Sequence, residues 1–355
     1  MSHYEQRLAD DKAALRERVV ALGQKVVAAT TESVAALLAG DRARSYQLVL
    51  DDLPINRESR AIDRACHAFV ARHLPSAGHL RFVSSVMRMN LELERVGDYA
   101  VSICRQAVQL SRPPQDPIAQ EIRHIADDAT RMLRDALSAF ATRDAELARE
   151  TKPVAKSVGA NYERVYREIT ETGTHDVRDI AALLAVFSKL ERVTDQAKNV
   201  CEETLFELTG ETKPAKRYRI LFVDARNSMV SPLAELLARK GFPDSGQYAS
   251  AGYQPADELA PELIALTEKL GIDVGDLKPT ALDVEALSRY HVVVWLNGDP
   301  ERIVERMPYE TVLLQWSLPK LADGESASQQ LHVISQALRA EIRDLMTTLR
   351  GEEAG

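Results

Sequence analysis

A segment that occurs twice constrains the fold of the amino-terminal part of this chain most strongly. LERVGDYAVSIC (93–104) returns 97 residues later as LERVTDQAKNVC (190–201), with seven of twelve positions identical. This density of matches favours an internal duplication over a chance likeness between two helices rich in common residues. Each copy has the length of about one three-helix bundle, so the sequence predicts two tandem bundles.

Helical periodicity runs from residue 4 to about 110 and again from 118 to 210. The segment SRPPQDP (111–117) is typical of a linker, and Gly210 is typical of a helix end. Breaks within the helical stretches are expected at Gly40–Asp41, Leu53–Pro54 and Leu74–Pro75, and near Thr151–Pro153 and Thr172–Gly173. We therefore predict one bundle over residues 1–112 and a second over 118–213.

The pattern changes abruptly at the short linker 213–216. Apolar runs of strand length follow, and helical stretches separate them. The runs lie at 218–223, 291–296 and 311–314, a further strand is expected before Ser250-Ala251-Gly252, and the helical stretches lie at 231–241, 259–271 and 327–350. Strands that alternate with helices predict a parallel, doubly wound sheet over residues 217–355.

Charge and composition exclude several classes of protein. The formal net charge is −8, no Lys/Arg-rich run occurs and aromatic residues make up only 5% of the chain, so we expect no binding to nucleic acid. Three cysteines without C-x-x-C spacing favour a reducing compartment. Because the chain begins with a polar segment and has no apolar run of about 18 residues, we expect a cytoplasmic protein without membrane insertion.

Each copy of the repeat carries two carboxylates on one helix face. Glu94 and Asp98, and likewise Glu191 and Asp195, are four residues apart. Oxygen ligands that project from helices of a bundle suit hard divalent or trivalent metal ions. The alternative is a solvated face, on which each aspartate pairs with the arginine three residues before it for about 0.2–0.5 kcal/mol. The spacing alone leaves both interpretations open.

The helical part resembles the PhoU family over roughly residues 5–213. The segments that carry this resemblance are 52–56 (DLPIN), 75–81 (PSAGHLR), 93–100 (LERVGDYA), 190–195 (LERVTD) and 199–202 (NVCE). The resemblance implies two three-helix bundles in a usually dimeric protein, with iron, zinc, manganese or magnesium at the E-x-x-x-D motifs. Carried over by motif, the candidate metal ligands are Glu94, Asp98, Glu191 and Asp195.

The resemblance also implies a function and shows two departures from the family. PhoU proteins act as non-enzymatic brakes in phosphate control, between the ATPase of a phosphate ABC transporter and a sensor histidine kinase. His79 stands where the family often has Asp, and Asn90 corresponds to Phe187 in the second copy, so the two sites need not bind metal equally. Further ligands are guessed at Asp51 or Asp52 and at Glu150.

The carboxyl-terminal part resembles the low-molecular-weight protein tyrosine phosphatases and related arsenate reductases over about 217–350. Their anion loop has the pattern V-C-x-x-N-S-C-R-S, with A-E on the following helix. The matching residues are Val223, Asn227, Ser228, Ser231, Ala234 and Glu235. This resemblance implies a flavodoxin-like α/β domain with a four-stranded parallel sheet.

The groups that perform the family's chemistry are replaced. Asp224 stands in place of the nucleophilic cysteine, Val230 in place of the loop arginine and Lys320 in place of the acid aspartate. No cysteine follows residue 201, so we predict a pseudoenzyme domain that serves binding or dimerisation. We expect the Asp224 carboxylate to accept loop N–H groups and fill the anion site from within.

The other loop residues retain the shape of an anion loop. The remnant comprises Asp224, Arg226, Asn227, Ser228 and Ser231. We expect Asn227 in the left-handed region, Ser231 as a helix N-cap, Pro232 in the first helical turn and Arg226 pointing outward.

The leading hypothesis is a cytoplasmic, PhoU-like regulator of phosphate homeostasis with no catalytic turnover. The alternatives are a divergent metal-dependent phosphatase or arsenate-related enzyme that uses Asp224, a di-metal oxidase, and a scaffold that binds no metal.

Overall fold

The chain forms two compact units, Met1–Lys213 and Pro214–Gly355. The computed structural model describes residues 3–155, 176–212, 216–319 and 327–351. The first unit is helical and the second contains a parallel sheet, which confirms the predicted fold class. Among the described residues, no helix combines the length and apolar character that crossing a membrane requires.

Six described helices make up the helical unit. They are α1 (His3–Ala39), α2 (Arg42–His73), α3 (Ala77–Gln109), α4 (Ile118–Thr142), α5 (Ala145–Thr151) and α6 (Val177–Thr209). The predicted linker 111–117 lies between α3 and α4, as expected. The predicted break at Thr172–Gly173 lies outside the described residues.

Local capping groups account for the ends of these helices. Asp41, Asp144 and Asp176 each accept a hydrogen bond from a backbone N–H in the first turn of the helix that follows. Gly210 ends α6 with φ of 79°, in the left-handed region that glycine adopts most easily. These signals lie within a few residues of the ends that they define, so the sequence could indicate them.

The predicted break at Leu53–Pro54 is wrong, because α2 continues through Pro54. A proline inside a helix removes one backbone hydrogen bond and costs about 3 kcal/mol. Buried side chains on both sides of it, among them Leu48, Ile55 and Ile62, hold the helix against the core. The packing of the long helix thus outweighs the local signal of the proline.

The helices of the two copies share one apolar core. Its members include Phe82 and Leu93 on α3 and Val193 and Val200 on α6, all fully buried. The predicted bundles 1–112 and 118–213 therefore lie within one unit, and α3 packs directly against α6.

The repeated segments face each other across the contact between α3 and α6. Gln196 Nε2 donates to Tyr99 Oη at 3.2 Å, and these residues occupy equivalent positions of the repeat. Arg88 forms an ion pair with Glu203 at 3.1 Å. Arg88 precedes Tyr99 on α3, whereas Glu203 follows Gln196 on α6. The two helices therefore run antiparallel, which is the arrangement expected for two copies related by an approximate twofold axis.

The second unit contains four parallel strands in the order β2-β1-β3-β4. The strands are β1 (Tyr218–Asp224), β2 (Gly246–Gly252), β3 (Val292–Leu296) and β4 (Val312–Trp316), and the helices are α7 (Val230–Gly241), α8 (Pro261–Lys269) and α9 (Ala327–Arg350). Ser250-Ala251-Gly252 forms the end of β2 and does not follow it, because these residues pair with β1 as far as Asp224.

Apolar residues cover both faces of the sheet. Ile220 and Phe222 pack on one face in a core with α7, α8 and α9. Leu221 and Val223 pack on the other face with Trp295. The alternation along β1 follows from the two-residue period of a strand. Because β1 and β2 pair in parallel as far as Asp224 and Gly252, their carboxyl ends lie side by side.

Candidate functional sites

The loop after β1 folds around the Asp224 side chain. Asp224 Oδ1 accepts a hydrogen bond from the Asn227 N–H at 2.6 Å, and Oδ2 accepts one from the Ser231 N–H at 2.8 Å. The Asp224 carboxylate thus lies among N–H groups of the kind that bind anions between a strand and a helix. Both of its oxygens are engaged by the backbone.

Asn227 fixes the shape of this loop. Its φ is 46°, which confirms the predicted left-handed conformation, and its side chain is fully buried. Asn227 Nδ2 donates to Ser231 Oγ at 2.9 Å, and Asn227 Oδ1 accepts from the Thr280 N–H at 2.7 Å. The role of Thr280 was missed in the sequence, because a backbone donor far along the chain leaves no side-chain signal.

The prediction that Ser231 is an N-cap is wrong. Helix α7 begins at Val230, and Ser231 lies inside its first turn, where its N–H binds Asp224. The Asp224 carboxylate performs the capping role that the serine was expected to fill. Pro232 lies in the first turn, as expected.

The loop packs closely on the end of β2. A Cβ atom at Gly252 would lie 2.9 Å from Ala225 O and from Asn227 N, so only glycine fits there without a shift of the backbone. The carbonyls of Ala225, Arg226 and Ser228 accept hydrogen bonds from the backbone N–H groups of 254, 256 and 260. The loop is therefore held on its outer side as well as by Asp224.

Glu235 on α7 lies against the same end of β2. Ser250 Oγ donates to Glu235 Oε2 at 2.6 Å, and Arg239 forms an ion pair with the other oxygen. Burial raises the pKa of the Glu235 carboxyl, and the hydrogen bond from Ser250 opposes that rise. The contact ties the helix after the loop to β2.

At the position of the family's loop arginine, the chain has a side chain without a guanidinium. Val230 is half-buried and packs against the apolar core. Arg226 is exposed and Ser228 is half-buried. Lys320 lies outside the described residues.

All cysteines belong to the helical unit. Cys66, Cys104 and Cys201 are free and buried. Burial raises the pKa of their thiols to about 12, about 11 and about 12 respectively. These thiols stay protonated near neutral pH and are unreactive.

The first carboxylate pair adjoins a third carboxylate, on α2. Asp52 lies against α3, where its Oδ1 would be 3.0 Å from a Cβ atom at Gly97. Burial raises the pKa of the Asp52 carboxyl, and the charges of Asp98 and then Glu94 raise it further, while a hydrogen bond from Asn56 opposes this. Asp52, and not the exposed Asp51, is thus the α2 acid that faces the motif.

The second carboxylate pair has a different environment. Asp195 pairs with Arg192 at 3.7 Å, as in the alternative of a solvated face. Glu191 is half-buried, and Glu150, guessed as a further ligand, is exposed. The two copies of the motif therefore differ in the groups around them. Unequal metal binding by the two copies stays a prediction.

The donor set of the first copy has the chemistry of a hard-cation site. Asp52 Oδ1 is buried and accepts no hydrogen bond from the described residues, and carboxylate oxygens are the ligands that hard cations prefer. In the described part of the chain, however, no three His, Cys, Asp or Glu side chains converge closely enough to hold a metal ion. Metal binding at Glu94, Asp98, Glu191 and Asp195 stays a prediction.

The folds and sites together define a class of protein with two units. One is a helical bundle with a duplicated carboxylate motif, and the other is a phosphatase-like α/β unit in which the N–H groups of the loop after β1 bind the Asp224 carboxylate. The PhoU domain model matches residues 19–107 and 122–204. A phosphate-specific transport system accessory protein PhoU homolog from Pseudomonas putida is 34% identical over 212 residues, which are 59% of this chain and 83% of that protein. The chain belongs to the PhoU family.

Solved structures agree with this assignment. PhoU from Pseudomonas aeruginosa is 30% identical with a TM-score of 0.54, covering 57% of this chain and 99% of that one. PhoU from Streptococcus pneumoniae is 25% identical with the same TM-score, covering 59% of this chain and 99% of that one. Both matches cover nearly the whole of the solved chain, and the PhoU domain model lies within the helical unit, so the α/β unit is an addition to that architecture.

The α/β unit has its own family match. The model of the low molecular weight phosphotyrosine protein phosphatases covers residues 219–353. The predicted resemblance of this part is thus confirmed at the level of the domain family.

Proposed function

We propose that this chain is a non-enzymatic cytoplasmic regulator of phosphate uptake and homeostasis whose α/β unit is a pseudophosphatase. Membership of the PhoU family supports the regulatory part, because its relatives are named as accessory proteins of phosphate-specific transport. One observation carries the pseudophosphatase part: the Asp224 carboxylate accepts hydrogen bonds from the loop N–H groups of Asn227 and Ser231.

The position of Asp224 argues against phosphoryl transfer. A carboxylate at the base of the loop repels a phosphate dianion and uses N–H groups that would otherwise bind it. Val230 offers no guanidinium to stabilise the transferred group. A nucleophilic role for Asp224, as in a divergent metal-dependent phosphatase or arsenate-related enzyme, is disfavoured, because the hydrogen bonds from the two N–H groups stabilise its negative charge and make its oxygens weaker nucleophiles.

Calorimetric titration with inorganic phosphate tests the filled loop. We expect no binding by the native chain, and binding after Asp224→Ala, which removes the internal anion. Asp276→Ala, a change of the same kind at an exposed position of the same unit, is the control and should bind no phosphate. Tight binding by the native chain would reject the filled loop.

The proposed partners are the ATPase of a phosphate ABC transporter and a sensor histidine kinase. We propose that this chain forms a homodimer and binds them in the cytoplasm. A reporter of phosphate starvation in a deletion strain tests the regulatory role. Deletion should raise the reporter signal in phosphate-rich medium, and both the native chain and Asp224→Asn should restore repression. An unchanged reporter in the deletion strain would reject the regulatory role.

We propose that the E-x-x-x-D motifs bind a hard metal ion, with Asp52 beside Glu94 and Asp98 in the first copy. A bound metal would supply positive charge that neutralises these carboxylates and stabilises the contact of α2 with α3. Elemental analysis after loading with iron, zinc, manganese or magnesium should show metal in the native chain and none in the double variant Glu94→Ala/Glu191→Ala. Glu92→Ala, two residues from Glu94, is the control and should keep the metal. A native chain without metal would favour the metal-free scaffold, and equal metal contents in all three proteins would place the metal outside the E-x-x-x-D motifs.

A further inference from the structure

Three large apolar side chains lie on the solvent-facing side of α2. Tyr46, Leu50 and Leu53 are 62%, 59% and 57% exposed, and their spacing of four and three residues places them on one helix face. The opposite face packs into the core through residues such as Leu48 and Ile55. A row of exposed apolar side chains, unlike a single one, is typical of an interaction surface.

The same face continues as a row of positive charge. Arg57, Arg60 and Arg64 follow Leu53 at the same helical spacing and are exposed. Within the described part of the chain, none of the three forms an ion pair. Neighbouring acids are already engaged: Asp51 by Arg44 and Gln47, Glu58 by Arg18, and Asp63 by His67.

We propose that this face of α2, from Tyr46 to Arg64, docks an acidic amphipathic helix of a partner protein. Apolar side chains of that helix would cover Tyr46, Leu50 and Leu53, and its carboxylates would pair with the three arginines. The proposal deepens the proposed function, because it names the surface through which such a regulator contacts its partner.

Two other occupants fit this face less well. A second copy of the chain, docked face to face through a twofold axis, would present the same arginines and no carboxylate on the face to match them. An anionic lipid surface attracts arginines beside apolar residues, but the net charge of −8 opposes the approach of the whole chain to that surface.

Fluorescence anisotropy with the full chain and two labelled synthetic helices tests the proposal. The helices share leucines at spacings of three and four, and one carries glutamates where the other carries lysines. We expect the glutamate helix to bind, with the affinity reduced about tenfold or more by Leu50→Ser/Leu53→Ser. Arg60→Glu/Arg64→Glu should lose the glutamate helix and gain the lysine helix.

The controls make the same chemical changes at exposed positions elsewhere in the helical unit. Val177→Ser on α6 and Arg123→Glu on α4 should bind the glutamate helix as the native chain does. No binding by the native chain, or equal binding by all variants, would overturn the proposal. Native self-association, or binding to phosphatidylserine vesicles, that the same variants abolish would overturn it in favour of a second copy or a membrane. Because the assay uses purified protein, its failure leaves the reporter test of phosphate control unaffected.

Discussion

Gly252 illustrates how a single missing side chain shapes the loop after β1. A Cβ atom there would meet backbone atoms of Ala225 and Asn227 at 2.9 Å, and backbone cannot turn aside as a side chain can. Gly252→Ala should therefore lower the free energy of unfolding of the α/β unit by about 1–3 kcal/mol. Both tryptophans, Trp295 and Trp316, lie in this unit, so urea unfolding followed by their fluorescence measures the effect.

Gly241→Ala provides the matched control for this measurement, because nothing lies within 4 Å of the added Cβ. It should change the stability by no more than about 0.5 kcal/mol. Equal losses for the two variants would show that the loop does not depend on the close approach at Gly252.

Asp52 makes the stability of the helical unit depend on pH. Burial and the charges of Asp98 and Glu94 raise the pKa of its carboxyl above that of the unfolded chain. The ionised side chain therefore lowers stability at neutral pH, and this cost disappears below the unfolded pKa. In metal-free protein, Asp52→Asn should raise the free energy of unfolding at neutral pH, with a gain that shrinks toward about pH 4.

Urea unfolding followed by far-ultraviolet circular dichroism at the two pH values measures this gain. Asp51→Asn, at the exposed neighbouring position, should show no gain that depends on pH. A gain of Asp52→Asn that is the same at both pH values would contradict a raised pKa.

At the scale of elements, α1 and α6 are joined by a buried ion pair. Arg16 Nη2 lies 2.6 Å from Glu207 Oε1, and the guanidinium lies over the rings of Phe82 and Phe140. The other oxygen of Glu207 is buried and has no hydrogen-bond partner among the described residues. Arg16→Met would leave the Glu207 carboxylate without this counter-charge, so we expect a loss of about 3–5 kcal/mol in the free energy of unfolding.

Arg18→Met is the control for this pair. Arg18 lies on the same helix, but its ion pair with Glu58 is about one-third exposed, and such a pair contributes no more than about 1 kcal/mol. Urea unfolding followed by circular dichroism compares the two variants. Losses of equal size would show that Arg16 and Glu207 do not join the helices.

The ends of elements were predictable where the signal is local. Asp41 and Gly210 lie at predicted ends and act on backbone groups within a few residues of themselves. The break at Pro54 was predicted wrongly because packing of α2 against distant parts of the chain keeps the helix continuous there. The N-cap at Ser231 was predicted wrongly because Asp224, a side chain from the preceding strand, caps α7 instead. A pattern within a short window contains neither kind of information.

At the scale of the whole molecule, the duplication predicted two copies of a helix but not how they meet. The contact of Tyr99 with Gln196, at equivalent positions of the repeat, comes from antiparallel packing of α3 on α6. Asp52 was only one of two guesses on α2, since sequence spacing does not tell which of two adjacent acids faces a neighbouring helix. The absence of any cysteine after residue 201, by contrast, was visible directly, because the identity of a side chain can be read from the sequence without the fold.

The proposal that the α/β unit is a pseudophosphatase is tested most directly by an assay of para-nitrophenyl phosphate hydrolysis. The assay uses the purified full chain, with and without added iron, manganese or zinc. We expect no release of para-nitrophenol above the rate without protein in any condition, and no difference between the native chain and Asp224→Asn. Robust turnover by the native chain that Asp224→Asn abolishes would contradict the account.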